Sequence, residues 1–333
     1  CRTTETMINR IKGKMYALFF WQTRIGDVLN SLYGLRIFIG NSFTDSKLKS
    51  KENYAAFLTK QYHIIEKGLA LPSPRKNFGK AKIVKLIAVA TEYRTTYGND
   101  GLTASIMEAL ASYLVKNDSL ATDDPVFYKA IHSFVSTSSY DATGGVTRID
   151  LNELKDAVGI DFKRFVESRA SVRNFSDKEV SSEDIVNAVS LARNAPSVCN
   201  RQSWKLHYFS DRTTMDKLLK IQNGNNGFGD SINKLLIVTV DTHRFTRLEG
   251  NQIFIDGGLF SMNLLLALHS MQIGACCLNT CVPYTDEIEI KKIGEIESSE
   301  RLIMMMGIGR LKDNYKVALS QKLEADQIIT IHE

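Results

Sequence analysis

Between Ser136 and Gly145 the chain changes its hydrophobic period, and that change restricts the possible folds more than any other feature. The stretch Ser136-Thr137-Ser138-Ser139-Tyr140-Asp141-Ala142-Thr143-Gly144-Gly145 is small and polar with no apolar repeat, as expected of a loop or linker. Upstream, apolar residues recur every three or four positions over 54–65, 81–97, 102–114 and 125–134, which predicts an all-helical region. Downstream, short apolar runs at 205–209, 235–240, 274–281 and 302–308 read as strands. They alternate with helical spacing at 181–193, 213–221, 253–269 and 286–293. No glycine fingerprint accompanies a repeating strand-helix unit, so the expectation is an α+β fold rather than a doubly wound sheet. We therefore divide the chain into a helical N-terminal region, 1–145, and a second unit, 146–333.

At 333 residues, 44% hydrophobic and 24% charged, the chain has enough apolar material for one sizeable core and a smaller second unit. A net charge of +5 with no long Lys/Arg run points away from nucleic acid and toward anionic small molecules. Five cysteines, an odd number in a long chain, do not make a disulfide framework, and a cytoplasmic location is expected. Met15–Trp21 is too short to span a bilayer; 251–270 is long enough but carries Asp256, Asn263 and His269, so it reads as a helix buried on most sides within protein. Because the chain starts at Cys1, the sequence leaves a preceding targeting segment open.

Two blocks carry the chemistry. Arg169-Ala170-Ser171-Val172-Arg173-Asn174-Phe175 offers two guanidiniums and a hydroxyl, the donor set suited to a phosphate monoester. Asn194-Ala195-Pro196-Ser197-Val198-Cys199-Asn200-Arg201-Gln202-Ser203-Trp204 is a polar turn leading into a strand, and Ser181 with Asp184 forms a candidate capping box for the helix between the blocks. In this order they resemble the nitroreductase family of flavin enzymes, which writes them as R-x-S-x-R-x-F and A-P-S-x-x-N-x-Q-P-W; here Ser203 replaces the last proline. The resemblance runs from Asp161 to the end. It implies a mostly antiparallel sheet flanked by helices, bound FMN, and hydride transfer from NADH or NADPH to a small organic acceptor in ping-pong order. A flavin-binding carrier or sensor, and other flavin reactions such as reductive dehalogenation or flavin fragmentation, fit the same motifs.

By resemblance, Arg169, Ser171 and Arg173 hold the phosphate and ribityl chain, with Lys322 a weaker match to a basic residue near the family's C-terminus. Pro196, Ser197, Val198, Asn200 and Gln202 fall where the family's loop lies along the isoalloxazine, although Ser197 and Asn200 are also ordinary turn cappers and Trp204 reads as core. In Asn223-Gly224-Asn225-Asn226-Gly227-Phe228-Gly229 three asparagines compete for a flavin pyrimidine contact, Asn226 being our choice. Cys276, Cys277 and Leu278 match the junction whose backbone N–H groups approach flavin N5. Cys276, Cys277 and Cys281 fit no common metal spacing and read as thiols buried among hydrophobic residues; no metal is expected. Gly307-Ile308-Gly309 lacks the third glycine of a nucleotide-binding turn.

Asp256-Gly257-Gly258, followed by Met262 to Leu266, resembles the family's central helix, where glycines permit close packing and a homodimer interface completes the flavin pocket. Upstream, Tyr62 to Leu69 and Pro74 to Gly79 look like the helical extension of nitroreductase-like proteins associated with polysaccharide biosynthesis. There His63 and Glu66 share a helical face, Gly68 is a candidate helix end, and Lys67 and Arg75 add cations. A substrate-binding lip and a plain capped helix with a basic loop fit that string equally well.

Overall fold

The computed structural model describes residues 23–136, 144–320 and 322–332. Cys1, the Met15–Trp21 run and most of the polar linker lie outside the described residues. Among the described residues the N-terminal region is built from helices: α1 (Arg24–Asn41), α2 (Lys51–Leu69), α3 (Lys80–Tyr97), α4 (Gly101–Lys116), a single turn α5 (Leu120–Asp123) and α6 (Pro125–Val135). Side-chain oxygens of Thr23, Ser50, Asp100 and Asp124 accept backbone N–H groups and so set the starts of α1, α2, α4 and α6. Phe57, Leu58, Ile65, Ile83, Leu86, Tyr93, Ile106, Leu110, Tyr113 and Ile131 form one core between these helices. The periodicity missed α1 because its apolar residues are split: Phe38 is buried, whereas Ile25, Val28, Leu32, Leu35 and Ile39 face outward. Gly68 does not end α2, which runs to Leu69; it makes room for the Phe78 ring.

Two short helices, α7 (Leu151–Ala157) and α8 (Phe162–Ser168), precede α9 (Ser182–Ala192). The reciprocal Ser181/Asp184 capping box is present as expected. The sheet comprises β1 (Trp204–Phe209), β2 (Lys234–Asp241), β3 (Ile273–Leu278) and β4 (Glu300–Arg310), all antiparallel in the order β1-β2-β4-β3. Alternation along the strands sends Leu236, Val238, Met306 and Ile308 to one face, where α9 and α11 (Gln252–Ser270) pack. Leu235, Ile237 and Met305 face α10 (Arg212–Ile221) and α12 (Tyr284–Ile293). The result is the α+β sandwich of helices around a mostly antiparallel sheet that the sequence implied.

Two expectations are corrected. The strand expected over 274–281 ends at Leu278, because Asn279 leaves the ladder: its carbonyl accepts from Gln222 Nε2 at 3.2 Å and its Oδ1 from the Cys281 N–H at 3.0 Å. Helix α11 is not buried on most sides; Phe254, Ile255, Leu259 and Met262 stand on an outward face. Gly257 does pack closely, since a Cβ there meets Ile303 Cγ1 at 2.6 Å, but Gly258 faces open space.

The helical region is joined directly to the sheet unit. Helix α2 packs against the turns at 198–200 and 242–244. Asn53 Nδ2 donates to the His243 carbonyl at 2.7 Å, and the Phe43 N–H donates to the Phe245 carbonyl at 3.0 Å. Helix α1 is pinned by Tyr33, stacked on Tyr284 at 5.4 Å between ring centroids.

Candidate functional site

The segment Arg169–Phe175 runs parallel to the free edge of β3. Ser171 bridges Ala275, the Val172 N–H donates to the Ala275 carbonyl at 3.0 Å, and the Ser176 N–H donates to the Arg310 carbonyl at 2.9 Å. Buried Val172 and Phe175 anchor it in the core. Gly309 permits that approach, because a Cβ there would lie 2.6 Å from Phe175 Cβ. The glycine pair at 307 and 309 thus makes space for core side chains, Ile232 and Phe175 respectively.

Neither Arg169 nor Arg173 has a carboxylate partner among the described residues. The guanidinium of Arg173 is exposed and lies 6.0 Å from the Phe228 ring centroid, while Arg169 borders an open depression with Ser168, Leu265, His269 and Tyr315. Ser168 Oγ and His269 Nε2 are 2.8 Å apart, and burial pulls the His269 imidazole below its ordinary pKa. Burial also pushes up the Cys276 thiol; nearby Arg173 opposes this without reversing it. Cys276 is buried as expected, but Cys277 and Cys281 are exposed, a correction to the all-buried reading. In β3 alternate residues face opposite ways, so Cys276 and Cys277 cannot share one environment. Leu278 is buried in the α10/α12 core.

The second block forms a tight turn with left-handed backbone at three non-glycine residues: Cys199 (φ 50°), Asn200 (φ 54°) and Gln202 (φ 48°). Such conformations persist only where surrounding contacts enforce them. Ser197 Oγ accepts the Gln202 N–H at 3.0 Å, and Gln202 Nε2 donates to the carbonyl and Oδ1 of Asn200, both at 3.3 Å. Pro196 and Gln202 are exposed, and Trp204 stacks on Phe260 at 5.0 Å between ring centroids. Sequence reasoning missed what holds this turn. Asp256, buried in α11, accepts the Val198 N–H at 3.2 and 3.3 Å, and buried Arg201 pairs with Glu249 at 2.7 Å. A charged residue within the apolar α11 run was the visible signal for Asp256; Arg201 stood at a variable motif position and gave none.

The two blocks do not converge within one chain. Val198 is tied to Asp256, whereas Arg169 shares its depression with His269, 13 residues further along α11. At the rise of an α-helix that is about 20 Å.

The other candidates are dispersed. Asn225 Nδ2 donates to the carbonyls of Leu219 and Gln222 at 2.7 and 2.8 Å, Asn223 accepts from Asn279 at 3.3 Å, and Asn226 is exposed. Glu66 faces inward to His63 Nδ1 at 3.2 Å and accepts the Gly145 N–H at 3.0 Å, fastening the end of the linker, while Lys67 and Arg75 are exposed. Lys322 lies exposed in the C-terminal tail. Among the described residues no cluster of three or more His, Cys, Asp or Glu side chains could hold a metal ion.

Residues 166–226 match the model of the nitroreductase family, a span that includes both blocks and Asn226. Solved structures to which the chain is similar include a nitroreductase family protein from Streptococcus pneumoniae TIGR4 (20% identity, 52% of this chain and 100% of that one, TM-score 0.44). Others are an FMN-dependent nitroreductase from Clostridium difficile R20291 (16%, 51% and 98%, TM-score 0.43) and a nitroreductase candidate from Desulfovibrio desulfuricans in complex with FMN (17%, 52% and 98%, TM-score 0.46). No curated protein matches the chain.

Proposed function

We propose that this chain is an FMN-dependent oxidoreductase that takes hydride from NADH or NADPH and passes it to a small organic acceptor in ping-pong order. The observation that carries this reading is the pair of guanidiniums, Arg169 and Arg173, which flank Ser171 along the edge of β3 and meet no carboxylate among the described residues. That donor set fits a phosphate dianion: two charge-assisted forks and a hydroxyl, with no carboxylate among the described residues competing for them. The family-model match and the FMN named in two similar structures support the same cofactor. When bound, FMN supplies two-electron hydride chemistry at N5.

In this reading Arg169, Ser171 and Arg173 bind and orient the phosphate end. The strained turn 197–202 presents Ser197, Asn200 and Gln202 to the polar edge of the ring, and the β3 backbone at Cys276–Leu278 offers donors near N5. The separation of the two blocks supports a homodimer in which the turn of one copy serves the flavin held by the other. The outward apolar face of α11 supports it too. We further propose a cytoplasmic protein acting on a small molecule. His63, Glu66, Lys67 and Arg75 have a place in acceptor binding only through Lys67 and Arg75, since Glu66 is engaged structurally.

An anaerobic visible spectrum of the chain supplied with FMN, before and after NADH or NADPH, tests the proposal. Bleaching of the flavin band is the expected result. Bound flavin that stays oxidised favours a carrier or sensor, and absence of binding removes the cofactor assignment.

A further inference from the structure

Arg201 is almost wholly enclosed, at 1% exposure, in a turn whose neighbours carry three left-handed residues. Its Nε donates to the Val198 carbonyl at 3.1 Å, its Nη2 meets Glu249 Oε2 at 2.7 Å, and its guanidinium stands 5.6 Å from the Phe245 ring centroid. Glu249 Oε2 also accepts the Thr246 N–H at 2.7 Å, fixing the short segment from which Phe245 projects. On the other side, Asp256 takes the Val198 N–H and Gln252 Nε2, the latter at 2.8 Å. Both backbone polar groups of Val198 are thus held by buried charged side chains. Neither Arg201 Nη1 nor Nη2 makes a hydrogen bond among the described residues, the Nη2 contact with Glu249 being an ion pair. A buried, incompletely paired guanidinium is a poor source of stability, since a well-packed hydrophobic residue of similar volume would often serve as well.

We propose that Arg201, with Glu249 and Asp256 as its electrostatic partners, is a positioning residue that fixes the Ser197–Gln202 turn against the isoalloxazine without touching it. This rests on the flavin reading above. It also gives the N-terminal region a part in that site, because Phe43 in the α1–α2 connection and Asn53 of α2 bind the Phe245 and His243 backbone beside this network.

The test uses Arg201→Met, Arg201→Lys and the milder Glu249→Gln in the full chain, with folding checked by circular dichroism. In the flavin-free chain, hydrogen exchange of the 198–202 amides should accelerate at least tenfold in Arg201→Met and Glu249→Gln while the sheet stays protected. Affinities for FMN and for riboflavin should fall by the same factor, about tenfold, and the visible band of the bound flavin should change shape; Arg201→Lys should recover part of each effect. By contrast, Arg169→Ala/Arg173→Ala should weaken FMN but not riboflavin. Folded variants with unchanged turn exchange, or with a wild-type flavin band and affinity, overturn the positioning role. If the wild-type chain binds neither flavin, the cofactor reading fails and so does the role toward the ring; faster turn exchange in the variants would then show only that Arg201 holds the loop. Should Arg201→Met fail to fold, Glu249→Gln decides, its carboxylate being partly exposed.

Discussion

Removing the carboxylate of Glu300 should expose how much this sheet depends on one residue. Glu300 is buried at 1% exposure and meets His207 Nε2 at 2.8 Å, Lys205 Nζ at 2.9 Å and the Thr239 hydroxyl. Burial pushes its pKa up, but hydrogen bonds from His207, Thr239 and Lys205 outweigh this and bring it from 4.5 down to about 2. A depressed carboxyl pKa contributes stability that is fully present above pH 4.5 and is lost as pH falls through about 2. Glu300→Gln should therefore cost about 1–3 kcal/mol at neutral pH and flatten the acid limb of the stability profile, both readable by urea unfolding. At the same scale, Arg169→Ala/Arg173→Ala should abolish FMN copurification; a fully yellow double variant would remove the phosphate-site assignment. The sequence singles these residues out because R-x-S-x-R stands at a set distance before P-S-x-x-N-x-Q-x-W, not by that short pattern alone. The Glu300 cluster was not, since Lys205 and His207 on β1 meet Glu300 only through the β1-β2-β4 order.

At the scale of elements, the two adjacent glycines of α11 make a controlled comparison. Gly257→Ala drives a methyl into Ile303 and should destabilise by about 1–3 kcal/mol through overpacking. Gly258→Ala meets nothing and should stabilise the helix by up to about 1 kcal/mol, as alanine is the better helix former. Thermal unfolding of the pair checks both signs, and equal shifts would contradict the packing described. Element types in 181–310 were readable because each apolar run has a single period and the Ser181/Asp184 box marks its helix start. The end of β3 was misplaced by three residues, since Thr280 to Val282 remain compatible with a strand while the side chain of Asn279 turns the chain aside. Helix α1 escaped notice because its apolar residues serve two faces, one of which the fold leaves outside.

For the whole molecule, the exposed apolar face of α11 and the roughly 20 Å of that helix between Asp256, which anchors the turn, and His269, beside Arg169, lead to one expectation. Sedimentation should give a dimer, and Leu259→Glu, at a position 41% exposed, should shift it to monomer and release flavin together. A wild-type monomer with full flavin occupancy would contradict the shared pocket. By itself the sequence determined the change of period after Ser136, the α+β class, the two motif blocks and the Ser181/Asp184 cap. All are local properties, set by side-chain spacing and by groups that bond their own near neighbours. Only the tertiary structure decided that Asp256 holds Val198, that Arg201 is buried against Glu249, that Gly309 admits Phe175 and that Cys276 and Cys277 part company. Those contacts join residues 48 to 134 positions apart or faces of one strand, and which long-range pairs meet depends on strand order and helix packing, which no local pattern encodes.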